Sequence, residues 1–103
     1  MQMNQVRYFL AIYEEQSFTR AARRCGVSQP SLTNAIQRLE HSLGGLLFHR
    51  TPKNTVPTAL GRAVARDLRQ INRCVHRAKR KAGDLLASQP IKPFGAGAAP
   101  LGA

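Results

Sequence analysis

The chain has 103 residues and a formal net charge of +11, from 16 Lys and Arg against 5 Asp and Glu. That length suits one small domain with an appendage, and that charge, which selects no fold, points to an anionic partner: nucleic acid first, an anionic membrane surface second. A bilayer span is excluded, because no apolar run is long enough, and residues 1–7 lack a signal-peptide pattern.

The first predicted helix covers Asn4 to Glu15, where Val6, Phe9, Leu10 and Tyr13 recur at three- and four-residue steps, with Ile12 beside that face. Ser17 is a good N-cap for a second helix from Phe18 to about Cys25, whose Ala21, Ala22 and Cys25 form a small-residue face. Gly26 stands where a left-handed C-terminal cap is expected. Ser28 caps a third helix with Pro30 in its first turn, where a missing N–H costs little. Leu32, Ala35, Ile36, Leu39 and Leu43 face inward, and Gly44 and Gly45 end it. Two helices joined by a tight turn, with a third before them, make a helix-turn-helix. Leu46 to Phe48 is apolar enough for a short buried strand; Thr51, Pro52, Lys53 and Asn54 are turn formers; Thr55 and Val56 return as a second strand. The result is a small β-hairpin with a basic tip, a wing. Thr58 caps a long fourth helix to about Ala87. Val64, Leu68, Ile71, Val75, Ala78, Ala82 and Leu85 alternate steps of four and three, the repeat of a coiled coil, so another helix must cover this narrow seam. Its other face is basic, from Arg62 to Lys81, a solvated surface whose first turns alone, near Arg62 and Arg66, are expected near DNA. The Pro-, Gly- and Ala-rich remainder reads as a flexible tail.

The third helix carries the chemistry. Ser28, Gln29, Pro30, Ser31, Thr33, Asn34 and Gln37 lie along its front, where a helix built only to pack would favour Ala, Glu and Lys. Polar residues also collect at helix starts simply as caps. Following a tight helix turn, however, such a front can enter the DNA major groove, where amides and hydroxyls meet base edges and Asn or Gln suits adenine. The Ser28 end offers backbone N–H groups to a phosphate. Arg38 joins the candidate DNA-binding set from the same helix, and Arg20 and Arg24 from the second, where with Arg23 they form either a phosphate clamp or a solvated face.

A run of short motifs stands in order as Ser17-Phe18-Thr19-Arg20-Ala21-Ala22, Ser28-Gln29-Pro30, Leu39-Glu40, Leu43-Gly44, Leu47-Phe48-His49-Arg50 and Thr58-Ala59-Leu60-Gly61. On these motifs the sequence, from about Asn4 to Ser88 and most plainly from Phe9 to Arg50, resembles the N-terminal domain of LysR-type transcriptional regulators. The resemblance implies a winged helix-turn-helix with a linker helix that dimerises it, groove reading through Gln29, Pro30, Thr33 and Asn34, and phosphate or minor-groove contacts at Arg50 and Lys53. Three departures stand out. Asn34 occupies a position where the family often has Arg, Pro57 one where it usually has Leu, and the chain ends where an effector-binding domain would begin. Pro57 is expected to leave the second strand short or confined to an edge.

The expected fold is therefore mainly α: a winged helix-turn-helix of three helices plus a small hairpin (1–57), a dimerising linker helix (58–87) and a flexible tail (88–103). The expected function is that of a cytoplasmic, sequence-specific double-stranded DNA-binding regulator of the LysR type, a homodimer through the linker helix, truncated before the effector domain. No effector site in the chain, cofactor, metal or membrane partner is expected. His41, His49 and His76 have no carboxylate at ligand spacing, and Cys25 and Cys74, far apart, read as reduced thiols, Cys25 in the core. Glu14, Glu15 and Glu40 are too few and scattered for acid–base catalysis, so no enzyme is expected; Glu40 is read as paired with a base or solvated. Two rivals remain: a truncated partner that antagonises a full-length regulator through the seam, and a non-specific nucleic-acid binder driven by charge.

Overall fold

Capping residues set where each helix starts and stops. The computed structural model describes residues 1–51 and 53–89. In chain order they form α1 (Met3–Glu15), α2 (Phe18–Cys25), α3 (Gln29–Leu43), β1 (Phe48–Arg50), β2 (Thr55–Pro57) and α4 (Ala59–Ala87). Ser17 Oγ accepts the Arg20 N–H at 3.0 Å, Ser28 Oγ the Ser31 N–H at 3.2 Å, and Thr58 Oγ1 the Gly61 N–H at 3.0 Å. Each bond satisfies a donor that the helix itself leaves orphaned. Gly26 closes α2 at φ +70°, a left-handed conformation a side chain would strain, and its N–H returns to the Ala22 and Arg23 carbonyls. The corner between α1 and α2 turns on Gln16 at φ +56°, with its N–H on the Ile12 carbonyl.

Helix α1 packs on both α2 and α3, and α2 packs on α3. The shared core is built from Val6, Phe9 and Ile12 of α1, Ala21 and Ala22 of α2, and Leu32, Ile36 and Leu39 of α3. The two alanines let the helices approach closely. Ile12 is fully buried rather than beside the apolar face, and Tyr13 is only half-buried, its ring 5.7 Å from Phe9 and under the Arg69 guanidinium at 5.8 Å. Cys25 is likewise half-buried against the core. Its position at the last residue of α2 leaves part of it in solvent.

The hairpin is antiparallel, with Phe48 opposite Pro57, His49 opposite Val56 and Arg50 opposite Thr55. The first strand thus starts at Phe48, two residues later than expected. The physical reason lies in the Leu46 carbonyl and the Leu47 N–H, which bond side chains instead. The Leu46 carbonyl accepts the Thr58 hydroxyl at 2.6 Å, and the Leu47 N–H donates to Glu40 Oε2 at 2.7 Å. Glu40 is therefore only partly solvated and, among the described residues, is spent on a backbone N–H rather than on a base; it anchors the root of the wing to α3. Leu46 is 61% exposed, while Leu47 is fully buried. Strand β2 is short, as expected, yet Pro57 costs it no ladder bond. Thr51 N–H bonds the Asn54 carbonyl at 2.8 Å and Thr58 N–H the Leu47 carbonyl at 2.9 Å. Bonded and non-bonded pairs alternate in an antiparallel ladder, so Phe48–Pro57 falls at a non-bonded pair. Phe48 fixes the hairpin to the helices, its ring 5.3 Å from Phe9 and edge-on to Phe18 at 5.9 Å. The architecture is mainly α, a winged helix-turn-helix followed by a long helix.

Residues Met1–Asn72 form one compact unit and a second begins at Arg73. Within the first, Ala65 and Leu68 of α4 are buried in the chain's own core and Val64 packs partly against it, while Ile71 is 39% exposed. Gly61 permits this packing, since a Cβ there would collide with the Leu47 carbonyl oxygen. Within the second, Val75 is half-buried, Ala78, Ala82 and Leu85 are exposed, and Arg77 Nη2 donates to Cys74 Sγ at 3.1 Å. The expected tail from residue 90 onward, and Pro52, read above as a turn former, lie outside the described residues.

Candidate nucleic-acid interface

Helix α3 buries Leu32, Ile36 and Leu39 and so turns its opposite face outward. Ser28, Gln29, Pro30, Ser31, Asn34, Gln37 and Arg38 are exposed, and Thr33 is half-exposed. Their spacing sends them to two sides. Gln29, Thr33 and Gln37, at four-residue steps, face the wing; Ser31, Asn34 and Arg38 border a cleft with Gln2, which caps α1, and Gln5 and Tyr8 of α1.

On the wing side, an open groove of about 470 Å³ gathers Arg20, Gln29, Arg50 and Lys53 with Ser17, Thr19 and Asn54. Alternation along β1 puts Arg50 on the same side as the buried Phe48, and its guanidinium lies 3.9 Å over the Phe18 ring. Stacking holds the cation beside the α3 front, and among the described residues nothing accepts its N–H groups. A second concavity joins Thr33 and Gln37 to the same Arg50. The Thr19 hydroxyl donates to Gln29 Oε1 at 3.1 Å, tying the start of α2 to the start of α3.

Several candidate residues are already engaged. Arg24 donates to Glu14 Oε1 at 2.7 Å and to Glu15 Oε2 at 3.3 Å, and Arg20 Nη2 donates to the Glu15 carbonyl at 2.6 Å with its Nε 3.6 Å from that carboxylate. The hydrogen bond to Glu14 is the main cause that raises the Arg24 pKa above its ordinary value, against slight desolvation. Arg24 stands outside the wing-side groove and Arg20 borders it. These partners come from α1, so no single-helix spacing announced them. The α3 N-terminus offers a phosphate less than its sequence promised. Pro30 has no N–H, Ser31's is taken by Ser28 Oγ, and Leu32's bonds the Ser28 carbonyl, which leaves that of Gln29. Arg62, in the first turn of α4, donates to the Pro57 carbonyl at 2.9 Å. Thr19 was not singled out from sequence; as an exposed hydroxyl next to a cap it carried no signal of its own.

Residues 3–62 match the family model described as bacterial regulatory helix-turn-helix protein, lysR family. The chain belongs to the LysR family of helix-turn-helix DNA-binding regulators. Among curated relatives, it is 40% identical over 82 residues to the HTH-type transcriptional regulator TfdT of Cupriavidus pinatubonensis, covering 80% of this chain and 36% of that protein. It is 44% identical over 71 residues to ClcR of Pseudomonas putida, covering 69% of this chain and 24% of that one. The chain thus spans about a quarter to a third of the length of these relatives. Among solved structures, it is similar to the BenM DBD in complex with catB site 1 DNA, with a TM-score of 0.80 and 32% identity over 86% of this chain and 99% of that one. It is also similar to the CbnR DBD in its DNA complex, with a TM-score of 0.76 and 34% identity over 82% and 98% of the two chains. No helix among the described residues is long and apolar enough to cross a membrane.

Proposed function

We propose that this LysR-type chain binds duplex DNA sequence-specifically as a dimer and so regulates transcription in the cytoplasm. One observation carries the proposal: the exposed hydrogen-bonding front of α3 is bordered by cations on the wing side, Arg20, Arg50 and Lys53, in one groove. The front supplies base contacts and the cations supply phosphate contacts, the division that specific DNA binding requires. Relatives of the same fold that have been solved as DNA complexes support it. Asn34 and Arg38, on the other side of α3, extend the contact toward α1.

Dimerisation is proposed through the outward part of the α4 seam, Ile71, Val75, Ala78, Ala82 and Leu85. Ile71 and Leu85 are 39% and 61% exposed, an apolar surface that a second helix would cover. Leu68 has little surface left to give. With alanine at two of these positions the buried area is small, so a modest dimer is expected. Two α3 helices would enter successive major grooves, roughly 34 Å apart, on a partly palindromic site.

Selection of binding sites from random duplexes at physiological salt, followed by titration of the selected and a scrambled duplex at several salt concentrations, tests the proposal. Enrichment of one motif, with affinity falling steeply as salt rises, is the expected result. Equal affinity for both duplexes would leave only charge-driven binding.

A further inference from the structure

The direction of one hydrogen bond at the α3 start decides what Gln29 can offer a base. Thr19 is exposed at the second position of α2, and its hydroxyl donates to Gln29 Oε1 at 3.1 Å. A free glutamine amide presents a donor and an acceptor side by side, the pattern that pairs with adenine N7 and N6. Here the acceptor end is tethered to α2, and among the described residues nothing claims the Nε2 hydrogens. The neighbours in the same groove, Arg20, Arg50 and Lys53, are cations suited to the flanking phosphates, which leaves the base edge to Gln29. With its carbonyl turned to Thr19, Gln29 fits an edge that presents acceptors only. In the major groove guanine offers two such acceptors, O6 and N7, and thymine one, O4, so the two Nε2 hydrogens match the pair on guanine.

We infer that Thr19 is a specificity-determining positioning residue, whose hydroxyl holds the Gln29 carbonyl and so turns Gln29 from an adenine reader into a donor to guanine. Thr19 need not touch DNA; it acts through Gln29. The inference rests on the proposed sequence-specific binding and adds to it the identity of one base and the residue that sets it. It also gives the helix turn a second use. The short Gly26–Ser28 connection brings α2 and α3 close enough for a side chain of one to steer a side chain of the other.

Site selection with the wild type and with T19V, T19S, Q29A and T19V/Q29A tests it. Thr19 is exposed and outside the core, so T19V, of nearly the same shape, is expected to keep the wild-type circular dichroism spectrum. The wild type is expected to enrich guanine at a base pair whose preference Q29A abolishes. T19V shifts that one position from guanine toward adenine by about fivefold or more in relative affinity, T19S keeps guanine, and T19V adds nothing in the Q29A background. The inference is overturned if T19V selects the wild-type motif, or if it weakens all duplexes equally, the mark of a phosphate contact. A wild type that enriches no motif overturns it at its root, and is told apart because the failure appears before any variant is compared.

Discussion

Replacing Glu40 by alanine isolates the bond that roots the wing. Glu40 Oε2 accepts the Leu47 N–H at 2.7 Å in a partly buried setting, and Leu47 itself is fully buried. In E40A that N–H loses its partner where water cannot easily replace it, at a cost of about 1–3 kcal/mol. E40Q keeps a carbonyl acceptor but not the charge. Charge-assisted bonds contribute ~1.5–3 kcal/mol and neutral ones ~0.5–1.5, so E40Q should cost about 1 kcal/mol. In a domain of this size each kcal/mol moves the melting temperature by roughly 4–8 °C. Thermal and urea unfolding followed by circular dichroism should therefore rank wild type above E40Q above E40A, with E40A lower in Tm by on the order of 10 °C. An E40A protein within about 0.5 kcal/mol of wild type would refute the role assigned to this carboxylate.

Other expected outcomes follow from the same geometry. G61A drives a methyl into the Leu47 carbonyl oxygen and should destabilise by about 1–3 kcal/mol in urea unfolding, although alanine is the better helix former. N34R should change the selected motif more than the total affinity, since arginine favours guanine where asparagine favours adenine; an unchanged motif would remove Asn34 from base reading. V75K places a charge in the α4 seam and should yield a monomer by sedimentation, while the wild-type dimer dissociates on dilution. A V75K dimer would show that the seam lies elsewhere.

Helices were legible because their ends are written in local chemistry. Ser17, Ser28 and Thr58 at the starts and Gly26 and Gly44 at the ends each satisfy backbone groups within a few residues, so α2 and the limits of α3 could be read without tertiary information. The corner at Gln16 was not legible, because its left-handed backbone is carried by a residue with no such bias. The first strand was misplaced by two residues for a related reason. Hydropathy marks Leu46 and Leu47 as strand-like, but the Leu46 carbonyl bonds the Thr58 side chain and the Leu47 N–H the Glu40 side chain, twelve and seven residues away in sequence. At the interface, residue types along the α3 front and the basic wing were readable from spacing. What spacing could not show was which of them the chain itself occupies: Arg24 by Glu14 and Glu15, the Ser31 N–H by Ser28, Gln29 by Thr19. In the seam, a strict heptad pattern hid a division of labour, since Leu68 is spent on the chain's own core while Ile71 and Leu85 remain outside.

The most direct measurement is a crystal structure of the chain on its selected duplex. Gln29, Thr33 and Asn34 should lie within about 3.2 Å of base edges in the major groove, with Arg50 and Lys53 on the flanking backbone. A complex in which those α3 side chains face solvent, with only cations touching phosphates, would contradict specific groove reading by this helix.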